Sequence, residues 1–247
     1  MARVLIGTSG WTYASWKGTF YPTDLPSARY LEFFTKTFPT TEVNYSFYHL
    51  PKSATYEKWA SQVSDNFIFS VKASRFITHI KRLIDVEEAW RLFLQHARSL
   101  GPHLGPILFQ FPASFRRDDA RLGAFLNMAR TVVPGSGRLK MVFEFRHDSW
   151  FTGEIYRILS RHDAALCMAD SPRYPRRQVI TSDFVYVRFH GRNLLFASNY
   201  TKAELAEEAK NIKRLLRDGH DVYAYFNNDA EGHAVSNART LTAMMRG

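Results

Sequence analysis

The chain has 247 residues, 45% of them hydrophobic, and 33 Lys+Arg against 23 Asp+Glu give a net charge of +10. That length suits one α/β domain, since single α/β barrels run to about 250 residues, and the charge favours phosphate esters, polyanions or anionic surfaces as partners. Its one cysteine, Cys167, excludes an intrachain disulfide and a cysteine metal cage, and no apolar run approaches the ~20 residues that span a membrane.

The first ten residues lack a basic head and a long apolar stretch, so no signal peptide is expected and a cytoplasmic location is the default. VLIGTSG (4–10) reads as a strand, followed by an aromatic loop over 11–22. Residues 25–38 are helical in pattern and stop at Pro39. TEVNYSFY (41–48) alternates as a strand, 53–63 is a short helix with Ser53 placed to cap it, and FIFSVKAS (67–74) is a strand. Residues 86–100 form an amphipathic helix ending at Gly101. A strand over 104–112, a helix over 118–131 closed by VVPGSG, a strand over 140–150 and a helix over 153–162 follow. ALCMAD (165–170) is a strand in which Cys167 is expected as a small core residue rather than a nucleophile. The connector 171–182, with RYPRR in it, has no helical period. A strand from Phe184, the longest helix over 201–218, a strand over 221–229 and a helix over 234–246 complete the chain. Eight strands alternating with helices, all but the sixth and seventh, predict a single-domain TIM-type (β/α)8 barrel with that one helix missing.

FVYVRFHGR (184–192) organises the rest. Val185, Val187 and Phe189 share one face; Tyr186, Arg188 and His190 share the other. Buried charge is expensive unless it is paired or used, so this strand reads as the wall of a site. The same parity on other strands gives an inward set of Ser9, Glu42, Asn44, Lys72, Gln110, Glu144, Arg146, Asp170, Arg188, His190, Asn227 and Asp229. Most of these stand near strand C-termini, where barrel enzymes place their sites. A single pair such as Glu144 with Arg188 can be structural; a dozen polar groups converging on one end imply a pocket. Loops at that end are basic, with Arg192, Arg176 and Lys81 among them, and interleave with Trp11, Tyr13, Trp16, Trp150 and Tyr174. Such aromatic platforms suit nucleotides, single strands or sugars, and equally pack loops over a barrel mouth. There is no P-loop, HExxH, GxSxG or CxxC pair.

GTSGWTYASWKGTFYP, EVNYSFY, FSVKASRFITH, LFQFP, FEFRHDSW, VRFHGR and YFNND, in that order, resemble the YecE-like family, domain of unknown function number 72. The resemblance runs from Gly7 to about Ala238. It implies a TIM-type barrel and a set of motif residues that includes Trp11, Tyr13, Glu42, Asn44, Lys72, His79, Gln110, Glu144, Arg146, Arg188, His190, Arg192, Asn227 and Asp229. It implies no reaction.

The leading expectation is an enzyme acting on an anionic substrate: a phosphorylated sugar, a nucleotide or a nucleic-acid end. Arg146, Arg188 and Arg192 would hold the anion. Asn44, Gln110, Asp170, Asn227, Asp229, Trp11, Tyr13 and His79 would complete the binding set. Glu144 and His190 would form an acid–base pair, and Lys72, its pKa lowered by cationic neighbours, would act as base or Schiff-base nucleophile. The competing expectation is a non-catalytic nucleic-acid binder with a steep salt dependence. No cofactor is expected. The alternative is a divalent metal held by Glu144, Asp170, His190 and Asn227 or Asp229, which Arg146 and Arg188 on the same faces would oppose. The expected resting state has Glu144 held by an arginine. Oligomeric state leaves no mark in the sequence.

Overall fold

The computed structural model describes residues 1–132 and 138–246. Eight parallel strands close into one barrel in chain order: β1 (Val4–Ser9), β2 (Thr40–Val43), β3 (Ile68–Lys72), β4 (Leu104–Gln110), β5 (Met141–Glu144), β6 (Ala165–Asp170), β7 (Phe184–Phe189) and β8 (Asp221–Phe226), with β8 returning to β1. The helices around them are α1 (Tyr30–Thr35), α2 (Tyr45–Tyr48), α3 (Ser53–Ala60), α4 (Glu87–Ala97), α5 (Asp119–Thr131), α6 (Gly153–Arg161), α7 (Lys202–Arg217) and α8 (His233–Arg246). No helix joins β6 to β7, as the composition of that connector implies. The turn expected at 132–137 lies, from residue 133 on, outside the described residues. None of the described helices is long and apolar enough to cross a membrane.

Local chemistry accounts for the helix starts. Thr201 and Glu204 cap α7 reciprocally, and the side chains of Asp118 and Thr152 accept from the first turns of α5 and α6. Ser53 does not play that part. Lys52 is the capping position of α3, without a side-chain bond, and Ser53 is already helical. Outside the strands, Trp90, Phe109, Phe125 and Phe143 pack ring against ring to seat α4 and α5 on β4 and β5. Inside the barrel, Leu5, Leu108, Val142, Tyr186 and Tyr223 fill the lower lumen. Above them the Tyr225 hydroxyl meets Thr40 Oγ1 at 2.7 Å and Ser70 Oγ at 2.8 Å. Closure between β1 and β2 leaves no room for a side chain at Gly7, where a Cβ would stand 2.0 Å from the Thr40 carbonyl oxygen.

Several strands are shorter than the alternation predicts, and β2 and β5 bear on the site. β2 ends at Val43, and Asn44 turns the backbone (φ −90°, ψ −20°) into the single turn of α2. β5 ends at Glu144, so Arg146 stands in the loop beyond it. Where a helix would lie between β6 and β7, side chains hold the chain instead. Arg176 reaches Asp170 at 2.8 Å and both oxygens of Glu208 on α7 at 2.7 and 2.9 Å. Thr181 Oγ1 accepts from the Leu166 amide and donates to the Ala164 carbonyl.

Candidate active site

The C-terminal ends of β1, β3, β4 and β5 are Ser9, Lys72, Gln110 and Glu144; Glu42 and Arg188 stand one residue short of the ends of β2 and β7. All of them share the inward parity of their strands. Arg188 is the hub. It is 1% exposed, and Glu42 and Glu144 are fully buried. Its Nη1 donates to Glu144 Oε2 at 2.6 Å and its Nη2 to Glu42 Oε1 at 2.7 Å. Glu42 also accepts from Ser9 and, at 2.6 Å, from the Tyr186 hydroxyl. Glu144 accepts through Oε1 from Arg146 Nε at 2.9 Å, so the pairing of Glu144 with an arginine is present twice over.

Burial alone would raise both carboxyls. At Glu42 the Arg188 charge together with hydrogen bonds from Ser9, Tyr186 and Arg188 outweighs it, and at Glu144 Arg188, Arg146 and His190 together outweigh it further, holding the carboxyl well below the usual range. Two carboxylates thus offset two guanidiniums.

His190, fully buried one residue past β7, has its Nε2 3.4 Å from Glu144 Oε2 and its Nδ1 3.2 Å from Asn227 Nδ2. Its Nε2 also lies 3.4 Å from Arg188 Nη1, so that nitrogen faces both a carboxylate and a guanidinium. Burial brings its pKa down to about 4, so the ring is neutral at physiological pH and both nitrogens are engaged. Of the acid–base pair expected from the sequence, Glu144 is thus a paired carboxylate and His190 a neutral ring. Cys167 also lies inside the barrel, 3.9 Å from Glu144 Oε2, and burial pushes its thiol up, away from a nucleophilic thiolate.

Lys72 is different. It is partly exposed at the mouth, and among the described residues its ammonium has no carboxylate or hydrogen-bond partner. Nζ lies over the Phe47 ring of α2, 4.1 Å from its centroid. Burial of its surroundings, then the Arg188 charge, lower its pKa to about 7 against the opposing pull of Glu42 and Glu144. His79 stands beside it on a π-helical turn, Phe76–Ile80, with its ring edge-on to Phe47 at 4.9 Å and Nδ1 2.9 Å from Thr78 Oγ1. Burial and the Lys72 charge bring the His79 pKa to about 4. Arg146 lies over the Tyr174 ring at 4.2 Å and donates from Nη1 to the Tyr174 hydroxyl at 3.3 Å, its side chain 13% exposed.

The other expected residues divide into those at the mouth and those away from it. Asn44 Nδ2 donates to Ser9 Oγ at 2.7 Å and Tyr13 donates to the Ser9 carbonyl at 2.5 Å, so both join the rim above Glu42. Gln110 is buried and donates to the Phe111 carbonyl at 2.6 Å. Asp229 accepts from Trp16 Nε1 at 2.6 Å, and burial raises its pKa to about 6. Trp11 is buried edge-on against Trp59 in a groove outside the mouth.

Asp170 and Arg192 do not belong to the mouth. Strand register pairs Ala169 with Arg188 and Asp170 with Phe189, which gives the inward place on β6 to Ala169. Asp170 points outward to Arg176 and Arg192, and Arg192 also contacts Glu204, Glu207 and Glu208 of α7. Of the three guanidiniums expected on an anion, Arg188 is paired with Glu42 and Glu144, Arg192 with Asp170 and the glutamates of α7, and Arg146 with Glu144 through Nε; the Nη2 of Arg146 has no hydrogen-bond partner among the described residues. Of the residues named for the metal alternative, Asp170 stands outside the lumen and Glu144 is paired with two arginines; among the described residues no group of three His, Cys, Asp or Glu is placed to hold an ion. Glu42 and Tyr186 are the site residues to which the sequence reading gave no role. Their parity with Ser9 and Arg188 was the available signal.

The comparisons with known proteins agree with this architecture. A family model described as "Protein of unknown function DUF72" matches residues 5–247. The UPF0759 protein YunF of Bacillus subtilis is 26% identical over 98% of this chain and 94% of its own length. The UPF0759 protein YecE of Escherichia coli K12 is 28% identical over 64% of this chain and 54% of its own. The crystal structure of a DUF72 family protein from Thermotoga maritima superposes with a TM-score of 0.88 at 28% identity, covering 99% of this chain and all of that one. With the same barrel and a family model spanning all but the first four residues, this chain belongs to the DUF72 family.

Proposed function

We propose that the barrel mouth is the active site of an enzyme acting on a small anionic substrate, with the Lys72 amine as base or nucleophile and the Nη2 of Arg146 as the anion contact. The observation that carries this reading is Lys72 itself: an amine at a strand end, facing the mouth, with no carboxylate on it and a pKa of about 7. Structural lysines are paired or solvated; a lysine poised between its two protonation states is what proton transfer or amine attack requires. Arg188, Glu42 and Glu144 form the rigid floor that sets the field on Lys72. In this reading Glu144 orients Arg146 and takes no proton.

Competitive acetylation read by peptide mass spectrometry tests the proposal. At pH 7 an amine of pKa about 7 is half deprotonated, whereas an ordinary lysine of pKa ~10.4 is so in roughly one part in 2,500. Lys72 is expected to label with a midpoint near pH 7, ahead of the surface lysines. Phosphate or ribose 5-phosphate is expected to protect it in the wild type and to fail in Arg146→Ala. A midpoint near 10 without protection by any anion removes the proposal.

A further inference from the structure

A groove of about 940 Å3 lies beside the barrel mouth. The turn of α2 is the partition between the two. Phe47, on one side of it, packs on Lys72 and His79; Tyr45 and Tyr48, on the other, line the groove. The inner end is bounded by Tyr13 and Asn44, which also bond to Ser9 at the mouth. A ligand in the groove therefore ends against the rim of the proposed active site.

The lining tells what class of ligand fits. Trp11 and Trp59 meet edge to face at 5.2 Å, and Tyr45 and Tyr48 stand 55% and 71% exposed. Two large exposed rings on one helical turn flank a recess whose wall sets aliphatic Leu31, Val43 and Leu50 beside the polar Thr12, Ser27, Thr55 and Gln62. Flat π faces accept a flat ring. The charge is one-sided too. Lys52 and Lys58 line the groove, no acidic residue does, and neither lysine engages a carboxylate among the described residues.

We infer that this groove is a binding subsite for a planar aromatic ring carrying an anionic group, contiguous with the active site and holding the part of the substrate remote from Lys72. The inference rests on the proposed function and narrows it: the substrate bears a ring, which excludes a bare phosphorylated triose or pentose. Nucleobases of nucleotides and aryl carboxylates share this chemistry.

Isothermal titration with AMP, indole-3-acetate and ribose 5-phosphate tests it. The variant is Tyr45→Ala/Tyr48→Ala, two exposed side chains whose loss leaves the fold intact, as circular dichroism would verify. At least one ring-bearing anion is expected to bind the wild type tenfold or more tighter than ribose 5-phosphate. The double variant is expected to lose that margin while binding ribose 5-phosphate unchanged. Preference for AMP assigns a nucleobase, and preference for indole-3-acetate assigns an aryl acid. Equal binding of all three compounds, or a double variant that retains the margin, overturns the subsite. The active-site reading fails separately, by the labelling of Lys72.

Discussion

Replacing Arg188 with methionine removes one guanidinium from between two fully buried carboxylates and changes little volume. Breaking a buried ion pair from one side costs about 3–5 kcal/mol, because the remaining charge is left in low dielectric. Here both glutamates lose that partner, and Glu42 is left without a cation. Glu144 keeps Arg146, but Glu42 keeps only the hydroxyls of Ser9 and Tyr186. A loss at the upper end of that range is a large share of the ~5–15 kcal/mol that stabilises a domain. The sign of the pH dependence is the sharper test. In the wild type both glutamates have folded pKa values below the unfolded value of ~4.3, so their contribution is present above that pH and lost as pH falls through the folded values. In Arg188→Met, burial without the guanidinium puts Glu42 above its unfolded value, so stability is lost as pH rises from ~4.3. Urea unfolding followed by tryptophan fluorescence at pH 5.0 and 7.5 should show the variant more stable at the lower pH, where the wild type gains nothing. Adding Glu42→Gln should recover part of the loss at pH 7.5. A variant within 0.5 kcal/mol of wild type at pH 7.5, with the wild-type pH trend, would refute the hub, since that is the scale of a neutral surface change.

Two further outcomes follow from the geometry outside the hub. Glu208→Ala removes the carboxylate shared by Arg176 and Arg192; trypsin should then cut the connector at 171–183 several-fold faster than in the wild type, with cleavage elsewhere unchanged. Asp229 titrates near pH 6 against the Trp16 indole; part of the tryptophan emission should follow a midpoint near pH 6, and Asp229→Asn should abolish that transition.

The barrel was legible because its strands announce themselves by alternation and end in small or polar residues. β7 gave its parity outright, since every second residue of FVYVRFH changes from aliphatic to polar or aromatic. β6 gave none. ALCMAD is apolar on both faces, so nothing in it says that Asp170 faces outward; only pairing with β7 settles that. The stretch after Val43 misled for the opposite reason: Tyr45 and Phe47 continue a two-residue alternation through what is one helical turn, too short for a helical period to show. Partners were harder still. The spacing of Glu42, Glu144 and Arg188 contains no statement that they meet, because closing the barrel brings them together. The groove is likewise built from segments after β1, after β2 and on α3, and no one of them looks like a site alone.

Glu42 lies in the first four strands, and Glu144 and Arg188 in the last four. The ionic balance of the lumen is therefore divided unequally between the two halves of the chain: the first half carries a carboxylate without its cation, and the second carries two guanidiniums, Arg146 and Arg188, on one carboxylate. Neither half can close its own electrostatic circuit, so a separately expressed half-barrel would expose or neutralise a group that the whole barrel keeps charged and dry. The tie across the lumen makes this barrel a poor candidate for fragment autonomy and a good one for fragment complementation, with the two halves recognising each other by charge as well as by strand pairing.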